Sequence, residues 1–356
     1  MNRNKNWLLL GLSVIAIAAV GFWLFSDQGN GTDAKEIVVV SYGGSFQEAQ
    51  RKAFFEPFEK ETGIKVKEVQ WSGEFAKLKA MVESKNIEWD LLTAAESSII
   101  ARGINEGLLE KIDYTNIDRS AFFPKSTTDY SLGTNYYSTA MAINTDLFPD
   151  GNYPESWKDF WDIDKFPGKR CLRKDPRTTL EFALLADGVP AEELYPLDLD
   201  RAFESLDRIA PHVSVWWSSG HQPAQLLADK EVALASAFNG RIWAAVKNEH
   251  VPLKVLWNGG ALDVDAWIIP KGCENYESVM KLVEFTSRPK VQMDLTNYIS
   301  YSPTIPAAFE AVTVDNSDDL PTSPQNYKKQ FVFNGEWWAK NEQKVLERWN
   351  EWLLRQ

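Results

Sequence analysis

Residues 257–272 carry the sequence WNGGALDVDAWIIPKG, and the architecture of the whole chain follows from them. Residues 262–269 are apolar, aromatic or β-branched apart from two carboxylates, and glycine and proline bound them, which predicts a β-strand. Residues two apart on a strand share a face, so Asp263 and Asp265 point the same way and Val264 points into a core. Such a strand either lines a polar cleft from inside a sheet or lies at a solvated edge, and periodicity alone leaves both open.

A second motif lies before this strand, where residues 238–241 read FNGR. A loop of this type followed by the pattern DxDxWxIPKG resembles the spermidine/putrescine (polyamine-type) solute-binding proteins of ABC transporters. Residues 58–66, FEKETGIKV, are similar to the helix-to-strand junction of ABC solute-binding proteins in general. Residues 157–161 and 301–304 are similar to segments of the polyamine-type family. The resemblance covers essentially the whole chain after residue 35.

Strands alternate with helical segments along the chain. Residues 37–41 and 89–93 read as short buried strands, and a helical segment follows each of them. This alternation predicts an α/β chain with a mostly parallel sheet covered on both faces. The resemblance implies the two-lobed periplasmic-binding-protein fold of type II, with two strands crossing between the lobes, the first at residues 136–144. The expected boundaries are 36–139 with 265–309 for lobe one, and 140–264 with 310–356 for lobe two.

Two local patterns predict helices and their packing. Residues 45–48, SFQE, match a capping box, so a helix is expected to start directly after the first strand. Near the C-terminus four large apolar residues recur at helical spacing, which predicts a helix docked on a lobe rather than a ligand contact. These residues are Trp338, Val345, Trp349 and Trp352.

Residues 1–25 are predicted to be a targeting segment. Arg3 and Lys5 precede residues 7–25, which carry no charge. This run is long enough to span a bilayer as an apolar N-terminal helix, and the positive charges favour a cytoplasmic N-terminus. A cleaved signal peptide and an uncleaved signal anchor (a transmembrane helix) both remain open. Either places the rest of the protein in the periplasm behind a polar linker at residues 26–35, and the anchor would tether it to the inner membrane.

The composition excludes several classes of partner and cofactor. A formal net charge of -12 argues against nucleic acid and is compatible with attraction of cations. Two cysteines in an exported chain favour a disulfide between Cys171 and Cys273, with two free buried thiols as the alternative. The three histidines form no metal-ligand pattern, so we expect neither a metal nor a cofactor.

The resemblance assigns roles in ligand binding to four residues. The family's ligand carboxylate, which grips an ammonium group, falls on Asp265. Its aromatic residue before Asn-Gly falls on Phe238, its acid of the second lobe on Asp175, and its late tyrosine on Tyr301. Asp175 is fully explained as well by a helix N-cap with Pro176 at the first helical position.

Three further candidates lie at the ends of predicted strands. Tyr42 and Glu96 follow strands at their carboxyl ends, where open α/β sheets bind ligands. Glu96 can equally be a helix-capping or solvent-facing acid. Trp216 and Trp217 face opposite sides of one strand, so at most one of them reaches a cleft, and Trp217 is the candidate.

Three positions depart from the polyamine-type pattern. Asp263 stands where an aromatic residue is expected, Thr178 stands where a further acid is expected, and Arg241 follows Asn-Gly. One acid fewer and one arginine more argue against a long di- or triamine. A ligand with an amine and a carboxylate, such as an amino-acid derivative, would use the guanidinium fork of Arg241. Pairing of Arg241 with Asp263 for structural reasons remains an equal alternative.

The residues support binding without chemistry. Aromatic side chains beside carboxylates form a box for an ammonium ion, and no catalytic motif is present, so we expect no enzyme activity. The predicted protein is a monomer that delivers a small amine-bearing solute to ABC permease subunits in the inner membrane. A membrane-anchored sensing domain is the first alternative. The second is a glycoside hydrolase using Asp263 and Asp265, or either of them with Glu96, as its two carboxylates.

Overall fold

The computed structural model describes residues 35–71, 73–311 and 317–356. The predicted apolar segment at residues 7–25, and the linker after it up to residue 34, lie outside the described part of the chain. Among the described residues, no helix combines the length and the apolar character that a membrane crossing requires. Residues 35–356 form one compact unit.

The strands join into one mixed sheet with the order β2-β1-β3-β9-β5-β8-β6-β7. Strands β1, β2 and β3 are mutually parallel, as are β6, β7 and β8, whereas β9 and β5 run antiparallel to each other and to β3 and β8 respectively. Short β4 and β10 pair with β5, and β11 pairs with β9. The strands are β1 Glu36–Ser41, β2 Lys65–Gln70, β3 Leu91–Ala95, β4 Thr127–Thr128, β5 Ser131–Asn144, β6 Arg170–Arg173, β7 Val213–Trp217, β8 Leu234–Phe238, β9 Leu253–Ile268, β10 Ser302–Pro303 and β11 Phe331–Val332.

Helices cover the sheet and begin where the sequence supplies caps. Ser156 and Asn334, for example, each accept a hydrogen bond from a backbone N–H of the helix that follows. The helices are α1 Gly44–Gln50, α2 Glu56–Thr62, α3 Phe75–Ser84, α4 Ser97–Asn105, α5 Trp157–Trp161, α6 Pro176–Ala186, α7 Leu199–Ile209, α8 Gln222–Ala228, α9 Asn239–Glu249, α10 Tyr276–Thr286, α11 Pro289–Leu295, α12 Ala308–Ala311, α13 Pro324–Tyr327 and α14 Gly335–Leu353. A π-helical turn at Arg51–Phe55 joins α1 to α2.

The predicted carboxylate strand is the C-terminal part of β9, and its surroundings answer the question that periodicity left open. Asp265 is paired on one side with Ala95 of β3 and on the other with Asn135 of β5. The strand is therefore internal, and the solvated-edge alternative is wrong. The predicted crossing at residues 136–144 lies within the longer strand β5.

Strands β5 and β9 connect two halves of the sheet. The first half contains β1, β2 and β3 with helices α1–α4 and α10–α12, and the second half contains β6, β7 and β8 with helices α5–α9 and α14. Separate hydrophobic clusters fill the two halves. This mixed α/β architecture with one large sheet agrees with the predicted periplasmic-binding-protein fold.

The C-terminal helix α14 packs as its apolar stripe predicts. Trp338, Val345, Trp349 and Trp352 are all buried in the core of the second half. Trp216 packs edge-on against Trp349 and Trp352, and its ring centroid lies 6.0 Å from that of Trp349 and 5.4 Å from that of Trp352. The stripe thus anchors the tail of the chain and makes no contact with the cavity described below.

The predicted disulfide between Cys171 and Cys273 is wrong. Both thiols are free and buried. Cys171 lies on β6 in a core cluster of the second half, and Cys273 follows β9 in the first half, where its Sγ donates to Asp90 Oδ1 at 3.6 Å. An oxidising compartment favours disulfides, but a disulfide also needs Cα atoms within about 7 Å, and the cysteine count does not determine that distance.

Candidate functional site

A cavity of about 130 Å³ lies between the two halves of the sheet. The ends of β1 and β3 approach it from the first half, the ends of β6, β7 and β8 approach it from the second half, and β9 passes beside it. Its lining combines buried charges with aromatic rings. The charged and aromatic residues of the lining are Tyr42, Phe46, Trp71, Glu96, Tyr137, Arg173, Arg177, Trp217, Phe238, Arg241, Asp265 and Tyr301.

Asp265 contributes a buried carboxylate with one free oxygen. Its Oδ2 accepts a hydrogen bond from Asn135 Nδ2 at 2.6 Å, whereas Oδ1 is buried and has no hydrogen-bond partner. Burial raises the pKa of Asp265 well above its usual range, and the nearby carboxylates Asp263 and Glu96 raise it further against the opposing effects of Asn135 and Arg241. A buried carboxylate oxygen without a donor is costly, so this atom is suited to a donor supplied from outside the protein.

Asp263 lies beside this carboxylate but does not line the cavity. Its Oδ2 accepts from the backbone N–H of Ser97 at 3.1 Å, and its Oδ1 accepts from the N–H of Val264 at 2.8 Å. Burial raises its pKa to about 7, although these two N–H donors lower it. Because both oxygens are used internally, Asp263 and Asp265 are not a free pair of catalytic carboxylates, and the hydrolase alternative based on this pair has no support.

Arg241 reaches from the second half of the sheet to the turn after β1. Its Nη1 donates to Ser45 Oγ at 3.0 Å and its Nη2 donates to the carbonyl of Gly43 at 2.9 Å, while its buried Nε has no partner. The alternative in which Arg241 pairs with Asp263 is therefore wrong. Ser45 also does not cap α1, because Gly43 occupies the N-cap position and makes no side-chain bond. The capping box predicted that the Ser45 hydroxyl would accept from a backbone N–H of the helix, but this hydroxyl accepts from the guanidinium of Arg241 instead.

Glycine is favoured at this turn by its positive φ, and the guanidinium also lies close to it. A Cβ at Gly44, where φ is +57°, would lie 2.6 Å from Arg241 Nη1. Burial lowers the pKa of Arg241 below its usual value, and the charge of Asp265 opposes that effect. The Gly-Gly pair thus serves side-chain packing in the cavity as well as the turn itself.

Glu96 and two arginines form a bridge across the cavity. Arg173 Nη2 and Arg177 Nη1 each lie 2.6 Å from a different oxygen of Glu96. Arg177 also forms a two-point contact with Asp175, through Nε at 2.9 Å and Nη2 at 2.7 Å. Burial opposes ionisation of Asp175, but the two arginines outweigh it and hold the pKa of this carboxyl at about 2.

The local backbone explains how Arg177 reaches this bridge. Asp175 is the N-cap of α6 and accepts from the N–H of Arg177 at 2.9 Å, which is the alternative to a ligand-binding role that the sequence offered. The chain then leaves the helical conformation at Arg177 and Thr178, and Thr178 has φ +66°. A left-handed conformation is unfavourable for a β-branched residue, which is typical of backbone held in place for function.

Aromatic rings form the walls of the cavity. Trp217 and Phe238 meet edge to face at 5.3 Å, and Tyr137 contacts Phe238 at 5.7 Å and Tyr301 at 6.0 Å. The guanidinium of Arg173 lies 5.6 Å from both the Trp217 and Phe238 rings. These contacts hold the walls and one cation together, with stabilisation on the order of 1 kcal/mol for each desolvated cation–π contact.

The FNGR loop builds one corner of these walls. Asn239 Oδ1 accepts from the N–H of Ser138 at 2.8 Å, and Asn239 Nδ2 donates to the carbonyl of Ser300 at 2.6 Å. A Cβ at Gly240 would lie 2.4 Å from the Tyr301 ring. The asparagine thus fixes the loop to both neighbouring segments, and the glycine allows Tyr301 to pack beside it.

The structure brings together most of the predicted site residues. Tyr42, Glu96, Trp217, Phe238, Arg241, Asp265 and Tyr301 line one cavity, whereas Asp175 and Asp263 lie behind that lining. Sequence reasoning did not single out Arg173 and Arg177. The sequence feature that could have pointed to these two arginines is the high density of charged residues in 169–177, KRCLRKDPR, at the end of a predicted strand. Among the described residues, no group of His, Cys, Asp and Glu is arranged to hold a metal ion.

Comparisons with known proteins establish the family. The chain matches the model of the bacterial extracellular solute-binding proteins over residues 53–322. It is 36% identical over 328 residues to the γ-aminobutyric acid-binding protein of Pseudomonas aeruginosa, covering 90% of this chain and 92% of that protein. It is 29% identical over 297 residues to the spermidine/putrescine-binding periplasmic protein of Salmonella typhimurium, covering 79% of this chain and 81% of that protein.

Solved structures agree. An ABC transporter substrate-binding protein of Bradyrhizobium japonicum is 37% identical and superimposes with a TM-score of 0.84, covering 89% of this chain and 99% of that chain. A periplasmic binding protein of Agrobacterium tumefaciens R10, solved in complex with agropinic acid, is 36% identical and superimposes with a TM-score of 0.82. The match covers 90% of this chain and 98% of that chain. The chain belongs to the bacterial extracellular solute-binding proteins, and it is a solute-binding protein of the ABC-transporter type rather than an enzyme.

Proposed function

We propose that this protein is the extracytoplasmic receptor of an ABC importer and binds a small zwitterion, a molecule with one ammonium group and one carboxylate, in the cavity between its two halves. The observation that carries the proposal is the unpartnered oxygen of Asp265 in a cavity that also contains Arg173 and Arg241. The other carboxylate oxygen of the lining without a hydrogen bond, Glu96 Oε2, is ion-paired with Arg177 at 2.6 Å. A free acceptor on Asp265 together with several guanidinium donors is complementary to a ligand with both charges.

In this proposal Asp265 binds the ammonium group. The free Oδ1 accepts a charge-assisted hydrogen bond, which is about twice as strong as a neutral one. Phe238, Trp217, Tyr42 and Tyr301 wall the aliphatic part of the ligand and exclude water. A bound cation also lowers the pKa of Asp265, so the carboxylate is ionised in the complex.

Arg241 and Arg173 bind the carboxylate of the ligand. Arg241 keeps a buried Nε without a partner, and Arg173 uses Nη2 for Glu96 while its remaining guanidinium donors lie beside the Trp217 and Phe238 rings. Arg177 is committed to Asp175 and Glu96 and acts as a support. Two guanidinium groups in a buried site disfavour a polyamine, because a diamine would place further positive charge against them.

The relatives support the same class of ligand. The γ-aminobutyric acid-binding protein has a ligand with an amine and a carboxylate, and it is more similar to this chain than the spermidine/putrescine-binding protein is. The Agrobacterium neighbour binds agropinic acid, which is an acid as well. The small cavity volume favours a ligand of amino-acid size over a peptide or sugar polymer.

We further propose that the two halves are lobes that close on the ligand. Lobe one consists of residues 36–139 and 265–309, and lobe two consists of residues 140–264 and 310–356. Support comes from the separate hydrophobic clusters, and from contacts across the cavity such as Arg241 with Gly43. Such side-chain contacts form only when the lobes are closed, so closure and ligand binding stabilise each other.

The receptor would act as a monomer that presents its closed face to permease subunits in the inner membrane. The family is extracellular, which agrees with a body outside the cytoplasm. Residues 7–25 would direct export and, if retained, tether the receptor to that membrane. Intact-mass measurement of protein from membrane and periplasmic fractions distinguishes a retained from a removed segment.

Isothermal titration and thermal unfolding with γ-aminobutyrate, putrescine and spermidine test the ligand class. We expect γ-aminobutyrate or a close homologue to bind at micromolar concentration and to raise the midpoint of unfolding, with about 2.7 kcal/mol of stabilisation at a hundredfold excess over Kd. Putrescine should bind at least tenfold more weakly. Tighter binding of putrescine, or no stabilisation by any amine, would contradict the proposal.

A variant at Arg241 distinguishes the contribution of the ligand's carboxylate to binding from that of its ammonium group. Arg241→Gln should weaken binding of the zwitterion by roughly 30-fold or more, because it removes a buried partner of a carboxylate, and should leave putrescine binding equal or better. Arg288→Gln is the matched control, since this exposed arginine pairs with Glu61 on the surface at 2.8 Å. The control should bind like the wild type.

A further inference from the structure

Glu96 combines an unfavourable backbone with a position at the centre of the buried charges. Its φ is +99° and its ψ is 115°, a conformation that a residue with a side chain rarely adopts. It follows β3 at the start of α4, and its side chain is buried. A capping role does not explain this position, because its side chain makes no cap hydrogen bond to α4.

Its carboxylate instead joins the first half of the sheet to the second. Both oxygens lie 2.6 Å from guanidinium nitrogens, one from Arg173 and one from Arg177. Burial alone would lower the pKa of Arg173, yet the charges of Glu96 and Asp175 outweigh it and raise that pKa above its usual value. The carboxylate is thus a counterion for the two arginines, and its Oε2 makes the 2.6 Å ion pair with Arg177 but no hydrogen bond.

The charges of the site balance only when Glu96 is included. The cavity is lined by three arginines, Arg173, Arg177 and Arg241. Three carboxylates face them: Glu96, Asp265, and Asp175 behind Arg177. Asp263 lies outside the lining, and Glu342, whose Oε1 lies 3.6 Å from Arg177 Nη1, is paired through its other oxygen with Arg102 at 2.8 Å.

We propose that Glu96 determines the net charge of the ligand: by neutralising one arginine it restricts the site to zwitterions with a single carboxylate and rejects ligands that carry a second one. This proposal rests on the proposed function and adds a residue that selects among ligands without touching the ammonium group. Removing its charge leaves one buried guanidinium charge uncompensated, and a second ligand carboxylate can then compensate it.

The test compares two probes that share a carbon chain. L-Glutamate is γ-aminobutyrate with one further carboxylate, so the ratio of their dissociation constants isolates that group. We expect Glu96→Gln to weaken γ-aminobutyrate binding and to strengthen glutamate binding, so that the ratio of the glutamate Kd to the γ-aminobutyrate Kd falls at least tenfold. A uniform loss of affinity for both probes, or no measurable glutamate binding by the variant, would show a structural role only and would overturn the inference.

Two further variants complete the design. The double variant Glu96→Gln/Arg177→Gln removes one charge of each sign without removing a proposed ligand donor, and it should return the ratio to within threefold of the wild type. Glu181→Gln is the matched control, because Glu181 is buried in the second half but does not line the cavity, and its ratio should not change. A ratio that stays low in the double variant counts against charge balance as the cause.

Failure of this inference is distinguishable from failure of the proposed function. Wild-type protein that binds no zwitterion overturns both. Wild-type protein that binds γ-aminobutyrate, with a ratio that Glu96→Gln leaves unchanged, overturns the role of Glu96 alone. If Glu96→Gln does not fold, the double variant and Glu96→Asp, which keeps the charge, decide the matter, and an altered ratio in Glu96→Asp would contradict the proposal.

Discussion

Replacing Asp265 by asparagine should have opposite effects on ligand affinity and on the stability of the empty protein. Asparagine has the same shape and can still accept from Asn135 Nδ2, which lies 2.6 Å from the carboxylate in the wild type. The substitution therefore removes one negative charge and leaves the packing unchanged. The two effects have different origins, and both can be estimated.

The effect on binding follows from the loss of the ammonium partner. Removing one member of a buried charge pair costs about 2–5 kcal/mol. Since about 1.4 kcal/mol corresponds to a tenfold change, the Kd of γ-aminobutyrate should rise by roughly 30-fold to several thousandfold. Isothermal titration at pH 7.5 measures this change directly.

The effect on stability follows from the raised pKa of Asp265. Burial favours its neutral form, so the folded-state pKa lies above the unfolded value near 4. Ionisation therefore opposes folding at neutral pH, and the penalty is absent below pH 4 and grows as the pH rises toward the folded-state pKa. Each unit of raised pKa corresponds to about 1.4 kcal/mol, so the asparagine variant should be more stable than the empty wild type at pH 8, by a margin that shrinks at pH 5.

Urea unfolding of the empty proteins at pH 5 and pH 8 tests this part. Asp263→Asn is the control: its carboxyl is also buried, with a pKa of about 7, but it does not line the cavity. It should retain ligand affinity within a few-fold, but it should not share the gain in stability, because an amide has one acceptor oxygen for the two backbone N–H groups that Asp263 binds. Two results would refute the proposal that Asp265 is the buried carboxylate that binds the ligand's ammonium group. One is an Asp265→Asn variant that binds γ-aminobutyrate like the wild type, and the other is a variant that is less stable than the wild type at pH 8.

Three further outcomes are expected. Burial raises the pKa of Glu181 to about 7, so wild-type stability should fall relative to Glu181→Gln by on the order of 3 kcal/mol between pH 4.5 and pH 8, and parallel pH profiles in urea unfolding would contradict this. Cys171 and Cys273 should both react with a thiol reagent after unfolding without reductant, and dithiothreitol should not change the midpoint of unfolding. Fewer than two reactive thiols per chain would show that the two cysteines form a disulfide after all. Gly44→Ala should destabilise the protein by about 1 kcal/mol or more, and it should weaken ligand binding because a Cβ there would displace Arg241. An unchanged ligand affinity would contradict a role of Arg241 in binding the ligand.

Local patterns were sufficient to predict the elements that carry the site. The pattern in residues 262–269 correctly predicted a strand, although it left open whether the strand is internal, and the apolar stripe correctly predicted the docking of α14. The opposite faces of Trp216 and Trp217 correctly separated a core residue from a cavity residue. These predictions depend on relations between residues a few positions apart, which hydrogen bonding and side-chain direction impose wherever the strand or helix lies.

The partners of the buried charges were decided only by the tertiary structure. Glu96 meets Arg173 and Arg177 across a long stretch of chain, and Arg241 binds the hydroxyl of Ser45 that the local sequence assigned to a helix cap. Burial decides such pairings, because a charge removed from water takes whichever partner the folded backbone brings within reach. Sequence alone therefore determined the family resemblance, the strand and the position of Asp265 on it, while the fold determined which arginines lie in the same cavity as that acid.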